Sequence, residues 1–542
     1  MKKKLAQADL ESLYRVFTVP EAPNSTVGKI DQAIYQNLVG FLQEHIVAVE
    51  KDLSEIEKDF SDFRIHDDPQ FVSEQTTFLL EKCVAHSVHT ASPSFVGHMT
   101  SVLPYFMLPI SRIMVALNQN MVKIETSKAF TPLERQVIGM LHSLVFSKMP
   151  SFYTDWMHHP DKSIGVICSG GTVANITALW VARNRLFPAD GNFLGVHHDG
   201  LHQALLHYGY KGVVILVSER GHYSLSKAVD VLGLGRNNLI AIETDRHHKI
   251  RLDLLEAKIK ALKNEGKCIL SIVGVAGSSE TGSVDSLDAL ADISASAGCH
   301  YHVDAAWGGP TLFSKKYHSL LNGIERADSV TIDAHKQLYV PMGVGAVVFR
   351  EPEMMDSVEH HAEYIIRKGS KDIGSHSLEG SRPGMAVLVH SGLRIIGRKG
   401  YELLVDLGID KARQFADLLE GSDDFELISE PQLNILTYRF IPKAVRDALL
   451  ISPPEVQEKI NNALKELIRG IQKTQRAHGK SFVSRTLLKP LKYHRQSVVV
   501  FRVVLANPLT TMEILQSILL EQQALTKEPH LAKLLDDVFT CF

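Results

Sequence analysis

Two glycines and a threonine end the first of several short apolar runs in this sequence. In SIGVICSGGTVANITAL, Gly170 and Gly171 allow the backbone to approach a ligand closely, and Thr172 adds a hydroxyl where a helical pattern begins. The free N–H groups and the dipole of a helix N-terminus favour a bound phosphate. The alternative is an ordinary strand–turn–helix connection in which Thr172 caps the helix.

A carboxylate and a lysine follow two later apolar runs. CHYHVDAAW places Asp304 at the end of a strand, and the small residues Ala305 and Ala306 leave room for a flat group. A buried carboxylate needs a cationic partner or several hydrogen-bond donors. In DSVTIDAHKQLY, His335 and Lys336 precede an apolar, glycine-rich stretch, where a lysine can act as an imine-forming amine. The alternative for Lys336 is a surface position on a loop.

The last candidate ligand-binding residue is a histidine. In SERGHYSLSKA, His222 follows a glycine beyond another strand, where its ring can lie over a bound ligand, although loop histidines are often only polar surface groups. Together these segments describe one ligand, with a phosphate on the glycines and a flat ring between His222 and Ala306. A ring cation would face Asp304, and an aldehyde would condense with Lys336. These are the requirements of pyridoxal 5′-phosphate, so we predict that cofactor.

The elements that must position these residues are strands that alternate with helices. Short β-branched runs separated by helical stretches follow Ser163, which favours a largely parallel sheet covered on both faces. Ligands of such sheets bind at the carboxyl ends of the strands, where the four segments lie. After about residue 400, strands and long helices indicate a smaller α+β domain. We predict an α/β protein with a helical N-terminal segment (1–100), a large cofactor-binding domain (101–399) and a small C-terminal domain (400–542).

Composition narrows the class of function. The chain has 542 residues, of which 45% are hydrophobic and 22% charged, and its net charge of −3 offers no strong field for nucleic acid or anionic lipid. Its 5 cysteines include no CxxC pair, and adjacent histidines among its 26 point in different directions, so we predict reduced thiols and no metal site. No apolar run approaches the ~20 residues of a membrane span, and no secretion signal is visible. We expect a soluble, cytoplasmic protein.

The four segments SGGTVANITAL, SERGHYS, HVDAAWGG and DSVTIDAHKQLY resemble the group II pyridoxal-dependent amino-acid decarboxylases. The resemblance covers roughly residues 90–525, and SHSLEGSRPG makes the chain most similar to the bacterial pyridoxal-dependent aspartate 1-decarboxylases. It implies fold type I, the aspartate-aminotransferase-like architecture, and a homodimer with shared active sites. SHSLEGSRPG, with Ser377 and Arg382, is the candidate segment that crosses between subunits.

The same resemblance implies roles for single residues around the cofactor. Lys336 would bind the cofactor as a Schiff base, Asp304 would face the pyridine nitrogen, and His222 would stack on the ring opposite Ala306. The remaining cofactor-binding positions are Gly170, Gly171, Thr172, Ser279 and His335.

Other positions concern the substrate and the proton that replaces CO₂. Arg502 matches the arginine that related enzymes use for the substrate α-carboxylate, with an internal salt bridge as the alternative. In SPSFVGHMTS, Phe95 and His98 are substrate-binding candidates, and His98 stands where glutamate decarboxylases tend to have glutamine. Tyr364 is the candidate proton donor. Asp333 replaces the asparagine of many relatives, and because a carboxylate would repel phosphate, we expect it to point away or to cap the loop.

The expected reaction is α-decarboxylation of L-aspartate to β-alanine and CO₂. Decarboxylation of glutamate to 4-aminobutyrate, or of cysteine sulfinate, stays open because one methylene in a pocket is worth only ~1–3 kcal/mol. A pyridoxal-dependent aldolase, another lyase, an aminotransferase or a catalytically silent relative are the alternatives from other classes.

Overall fold

A seven-stranded sheet forms the centre of the large domain in this computed structural model, which describes residues 32, 36, 47–48, 51–362, 366 and 369–542. The strand order is β1-β7-β6-β5-β4-β2-β3, and only β7 runs antiparallel to its neighbours within these described residues. This arrangement confirms the predicted α/β class. The strands are β1 (Gly165–Cys168), β2 (Gly212–Ser218), β3 (Leu239–Ile242), β4 (Lys267–Val275), β5 (His300–Asp304), β6 (Ser329–Ile332) and β7 (Gly345–Phe349).

The strand sequences explain why this sheet is buried on both faces. In β2, Val214 and Leu216 belong to one hydrophobic core, whereas Val213, Ile215 and Val217 belong to the core on the opposite face. Alternate residues of a strand point to opposite faces, so a continuous apolar run requires a cover on each side. Helices pack on both faces of the sheet.

The helices of the described residues are, in chain order, α1 (Leu53–Asp59), α2 (Val72–Leu79), α3 (Met107–Leu117), α4 (Ile124–Ser127), α5 (Phe130–Phe146), α6 (Pro150–Trp156), α7 (Gly171–Leu186), α8 (Val196–Tyr208), α9 (Ser224–Val231), α10 (Leu252–Asn264), α11 (Leu287–Ala297), α12 (Ala386–Ile395), α13 (Gly397–Glu420), α14 (Lys443–Ile451), α15 (Pro454–His478), α16 (Met512–Leu525) and α17 (Pro529–Phe539). A π-helical turn, Leu80–Val84, follows α2 directly. Short 3₁₀ helices occupy Arg236–Asn238, Gly309–Phe313, His318–Leu321, Ile324–Arg326, Pro352–Val358, Ile373–His376 and Leu491–Tyr493.

The C-terminal region, which is described throughout, contains a second sheet of four antiparallel strands in the order β10-β11-β9-β8. Its strands are β8 (Phe425–Ser429), β9 (Ile435–Phe440), β10 (Ser484–Leu488) and β11 (Val498–Val504). The long helix α13 belongs to both cores, because Tyr401 and Val405 pack in the large domain, whereas Phe415 and Leu419 pack with the second sheet. The boundary at residue 400 stays a prediction, since α13 continues across it.

The segment before the large domain joins the second sheet. Phe95 forms a parallel bridge with Phe482, and Val96 accepts a hydrogen bond from the Val504 amide at 2.7 Å. Residues near the beginning of the chain and residues near its end thereby become neighbours next to Arg502. Tyr364 and most of the first 50 residues of the predicted helical N-terminal segment lie outside the described residues.

Three general features bear on the sequence predictions. None of the helices within the described ranges is long and apolar enough to cross a bilayer. All five cysteines lie in described parts of the chain and are free thiols. Across the same parts of the chain, no group of three or more His, Cys, Asp or Glu side chains is placed to hold a metal ion.

Candidate active site

One cavity of about 610 Å³ lies at the carboxyl ends of the parallel strands and collects the predicted residues. The turns that follow β1, β2, β4, β5 and β6 all contribute to it, as expected for this class of sheet. The predicted residues that line it are Gly170, Gly171, Thr172, His222, Ser279, Asp304, Ala306, His335, Lys336, His98 and Arg502. Phe95 is buried but does not line the cavity; its ring stacks on Phe482, which does.

The glycine turn after β1 lies too close to its neighbours to carry side chains. Gly170 has a φ of +153°, and a Cβ added at Gly171 would lie 2.7 Å from Asp333 Oδ2. Helix α7 begins at Gly171, so its first backbone N–H groups lack intrahelical partners at the cavity wall. This turn therefore has both the space and the donors that a phosphate needs.

Lys336 lines the same cavity and is paired with Asp333. The distance from Lys336 Nζ to Asp333 Oδ2 is 3.0 Å, and His335 Nε2 lies 3.8 Å from the same oxygen. The hypothesis that Asp333 points away is wrong, because its carboxylate lines the cavity and faces Lys336. Asp333 Oδ1 is buried and has no hydrogen-bond partner among the described residues. His335 itself is oriented by the carbonyl of Val344, 2.8 Å from its Nδ1.

Asp304 and His222 border the part of the cavity where a flat ring would lie. Asp304 Oδ2 accepts a hydrogen bond from Asn175 Nδ2 at 2.9 Å, and its Oδ1 accepts one from the Ala306 amide at 3.2 Å. His222 Nδ1 lies 2.9 Å from Ser224 Oγ. Burial lowers the pKa of His222, which favours its neutral ring. A neutral ring can lie on an aromatic cation without charge repulsion.

Arg502 reaches the cavity from β11. Its Nη1 makes only long contacts, 3.4 Å to the Gly97 carbonyl and 3.3 Å to Ser484 Oγ, and its Nε has no hydrogen-bond partner within the described chain. Burial lowers the pKa of Arg502 to about 10, and the charge of Glu280 partly opposes this effect. No carboxylate of the described residues lies within ion-pair distance of Arg502. The alternative of an internal salt bridge therefore has no support in the described structure.

His98 is the second basic group on this side of the cavity. Burial lowers the pKa of its imidazole below 6.5, and the nearby positive charges of Arg502 and Lys336 lower it further. A positive potential therefore surrounds His98, which suits an anion more than a cation.

Several lining residues were not predicted. Glu280, whose Oε2 is buried without a partner among the described residues, directly follows Ser279, and Arg485 lies on β10 next to Ser484. Asn175 follows the glycine turn by one helical turn. The position of Asn175 could have been predicted, because a residue four positions after Gly171 lies on the same face of the helix and therefore faces the same cavity. The position of Arg485 could not, since the pairing of β10 with β11 is a long-range property.

The candidate cross-subunit segment makes several contacts within its own chain. Arg382 forms a buried two-fold ion pair with Glu134, including a 2.8 Å bond from Nη1 to Oε2. The carboxylate of Glu379 accepts a hydrogen bond from the Ser169 amide at 3.0 Å, and Ser377 Oγ accepts one from the Glu379 amide at 3.1 Å. The segment is therefore anchored beside the glycine turn.

Comparisons with known proteins identify the family to which the chain belongs. The pyridoxal-dependent decarboxylase conserved domain matches residues 61–441. The chain is 59% identical to the aspartate 1-decarboxylase of Aliivibrio fischeri over 529 residues, which cover 98% of this chain and 97% of that protein. It is 27% identical to the human acidic amino acid decarboxylase GADL1 over 460 residues, which cover 83% of this chain and 81% of that protein.

A solved structure confirms the fold. The crystal structure of mouse CSAD superposes with a TM-score of 0.80 at 23% identity, covering 94% of this chain and 100% of that one. Family match, identity and architecture agree, and the cavity carries the lysine, carboxylate and glycine turn that pyridoxal 5′-phosphate requires. The chain belongs to the pyridoxal-dependent decarboxylases.

Proposed function

We propose that the protein removes the α-carboxylate of L-aspartate as CO₂ and forms β-alanine. The observation that carries this proposal is a single cavity in which Lys336, Asp304 and His222 face the cofactor region and Arg502 supplies an unpaired buried cation. The 59% identity to an aspartate 1-decarboxylase supports aspartate as the substrate.

The residues of the cavity fit the cofactor group by group. Lys336 would hold it covalently, the amides at the start of α7 would bind its phosphate beside Gly170 and Gly171, and Asp304 would accept a hydrogen bond from its protonated ring nitrogen. When bound, the cofactor supplies an electron sink for the charge that remains on the α-carbon after CO₂ leaves. Asp304 strengthens that sink because a carboxylate favours the protonated form of the nitrogen it contacts. Ser279, His335, Thr172 and Ala306 are the further proposed contacts.

Two basic residues are proposed to bind the substrate. The planar guanidinium of Arg502 can hold the α-carboxylate through two parallel hydrogen bonds, and its present contacts are too long to compete. His98 would donate a hydrogen bond to the side-chain carboxylate. Tyr364 remains the proposed donor of the proton that replaces CO₂, and it lies outside the described residues.

A substrate panel tests the reaction. The purified holoenzyme is incubated with L-aspartate, L-glutamate and L-cysteine sulfinate, and CO₂ and the amine product are quantified. We expect β-alanine from aspartate at the highest kcat/KM; a glutamate value far above that for aspartate would refute the substrate assignment. Glutamate and cysteine sulfinate stay in the panel because the human relative is named only as an acidic amino acid decarboxylase.

Two outcomes separate decarboxylation from the other pyridoxal-dependent chemistries. An aminotransferase or aldolase would consume substrate without releasing CO₂ and the corresponding primary amine in equal amounts. A silent relative would release neither, even with cofactor bound. The variant Lys336→Ala should lose the visible absorption band of the bound cofactor, and an unchanged band would contradict covalent attachment through Lys336.

We also propose that the protein is a cytoplasmic homodimer. The helix α3 exposes several large apolar side chains, with Leu108 at 57%, Ile113 at 54% and Val115 at 68% of their full accessible surface. Several large apolar side chains grouped on one helix are typical of an interface, and a second copy of the chain is the proposed occupant. Light scattering should give twice the monomer mass, and Ile113→Glu should shift the protein towards monomer. A fully active monomer would contradict this proposal.

A further inference from the structure

Asn175 connects the two groups that are proposed to hold the cofactor ring. Its Nδ2 donates hydrogen bonds to Asp304 Oδ2 at 2.9 Å and to Ser224 Oγ at 3.0 Å. Ser224 Oγ in turn lies 2.9 Å from His222 Nδ1. Asn175 and Ser224 are both fully buried, so these contacts rather than solvent determine their orientation. One amide therefore contacts the carboxylate directly and the histidine through one hydroxyl.

A second buried histidine determines which way this amide faces. His302 Nε2 lies 3.0 Å from Asn175 Oδ1, and His302 Nδ1 lies 2.8 Å from Ser329 Oγ. Both N–H groups of Asn175 are already used, so its oxygen must accept a hydrogen bond from the N–H at His302 Nε2. Burial lowers the pKa of His302 to about 4, and the ring is neutral near pH 7. Its Nδ1 therefore accepts a hydrogen bond from the Ser329 hydroxyl.

The arrangement continues along β5 with a consistent direction of donation. His300, His302 and Asp304 alternate along the strand and share one face of the sheet. His300 Nε2 lies 2.8 Å from Ser329 Oγ and donates to it, because the hydroxyl proton is directed at His302. No side chain between His300 and Asp304 in this chain of contacts has a buried polar atom without a partner in the described structure.

At the His222 end of this hydrogen-bond chain, the donors and acceptors determine which ring nitrogen of His222 carries the proton. Ser224 Oγ accepts from Asn175, so its own hydrogen is directed at His222 Nδ1. A neutral imidazole that accepts at Nδ1 carries its proton on Nε2. The hydrogen-bond chain thus selects one tautomer of the histidine that borders the cavity.

We propose that Asn175, His302 and Ser329 are positioning residues that hold Asp304 and His222 in one relative geometry and keep the proton of His222 on Nε2. The proposal rests on the proposed cofactor-contacting roles of Asp304 and His222. Asn175, on α7, ties the helix that begins at the phosphate turn to the strand that carries Asp304. The positions of the phosphate, the ring nitrogen and the ring face are thereby linked through one side chain.

The variants Asn175→Leu, His302→Leu, His302→Gln and Ser329→Ala test this proposal, with His142→Leu as the matched control. His142 is likewise a buried neutral histidine with two hydrogen bonds, at 3.0 Å to Tyr153 Oη and 3.0 Å to the Phe349 carbonyl, and lies outside the cavity. Each variant is measured for kcat and KM, cofactor Kd, the pH titration of the bound cofactor's visible band, and Tm.

We expect Asn175→Leu and His302→Leu to lower kcat about 10–100-fold while KM stays within about threefold, because Arg502 and His98 are untouched. The pH titration of the visible band should shift in both. His302→Gln should recover most of kcat because a glutamine amide can donate to Asn175 from a similar place. His142→Leu should lower Tm without moving kcat, the titration or the cofactor Kd.

A double-variant cycle makes the test independent of folding losses. If Asn175 acts through His222, then Asn175→Leu should cost much less in a His222→Gln background than in the wild type. Equal costs in both backgrounds, or a response of His302→Leu that matches His142→Leu at equal loss of Tm, would overturn the proposal. Failure of the proposed function is distinguishable, since the wild type would then lack the cofactor band or CO₂ release.

Discussion

Arg502→Met should make the protein more stable and almost inactive at the same time. The guanidinium is buried, its Nε has no partner within the described chain, and its two Nη1 contacts are long. A buried cation without an anionic partner lowers the stability of the folded protein as long as no substrate is bound. Methionine has a similar length but no charge. The substitution therefore removes both the free-energy cost of burying the cation and the group that would bind the substrate carboxylate.

The pKa of Arg502 provides the scale of the stability effect. Burial lowers it from its ordinary value to about 10, so the group remains charged at pH 7 and its charged form is disfavoured in the folded state. At about 1.4 kcal/mol per pKa unit this amounts to roughly 1–3 kcal/mol after allowance for partial exposure and for the neighbouring Glu280. An unfolding entropy near 2 cal/mol/K per residue converts that into a rise in Tm of about 1–3 °C.

The catalytic effect should have the opposite sign. Two charge-assisted hydrogen bonds to a carboxylate are worth about 3–6 kcal/mol, which corresponds to a loss of roughly 10²- to 10⁴-fold in kcat/KM. Arg502→Lys keeps the charge but loses the two-pronged geometry, so it should lose about 10–100-fold. Steady-state CO₂ release and calorimetry on the same preparations measure both quantities.

Two results would refute this reasoning. A Tm that falls by several degrees in Arg502→Met would mean that Arg502 belongs to a stabilising ion pair. A kcat/KM within about fivefold of the wild type would mean that the α-carboxylate binds elsewhere. Arg469→Met is the control, because Arg469 lies on the surface with 42% of its side chain exposed, and neither quantity should change.

Three further predictions concern the cavity and the core. Gly171→Ala should weaken the cofactor Kd at least about tenfold, because its Cβ would lie 2.7 Å from Asp333 Oδ2; Gly421→Ala, whose Cβ has ordinary contacts from 3.6 Å, is the control, and equal affinity in both variants would contradict the close approach. Asp333→Asn removes the carboxylate that holds Lys336 Nζ at 3.0 Å, so the amine is freer to reach an aldehyde and stopped-flow absorbance should show several-fold faster cofactor attachment; slower attachment would argue for an orienting role instead. Burial lowers the pKa of five histidines to about 4, namely His142, His248, His300, His302 and His376. Since the histidines of the unfolded chain bind protons already near pH 6.5, the free energy of unfolding should fall as the pH drops from 6.5 towards 4, by about 1 kcal/mol for each histidine at pH 5.5. Denaturant titrations that give equal free energies of unfolding at pH 7 and 5.5 would contradict this.

Much of the fold could be predicted because it is encoded in short stretches of sequence. The apolar runs that became β1 and β2 carry β-branched residues on both faces, and β1, β2 and β5 each end in residues suited to a ligand. The order of chain segments therefore predicted the cofactor turn, Asp304 and Lys336. Their roles in catalysis stay predictions until the variants are measured.

The sequence was less informative about orientation. The expectation that Asp333 points away from the phosphate turn was wrong, because the repulsion argument considered a bound phosphate and omitted the lysine, which lies 3.0 Å away. Phe95 was expected at the substrate, but its bridge with Phe482 places it behind the cavity wall. Both outcomes depend on neighbours that are set by packing.

The sequence by itself determined the α/β class, the family and most of the residues that line the cavity, because strand ends and glycine turns are local patterns. Only the tertiary structure decided that Arg502 on β11 lies beside Gly97, and that Asn175 joins Asp304 to His222. The physical reason is that these contacts depend on strand register and helix packing between residues 49 to 405 positions apart, which no local periodicity encodes.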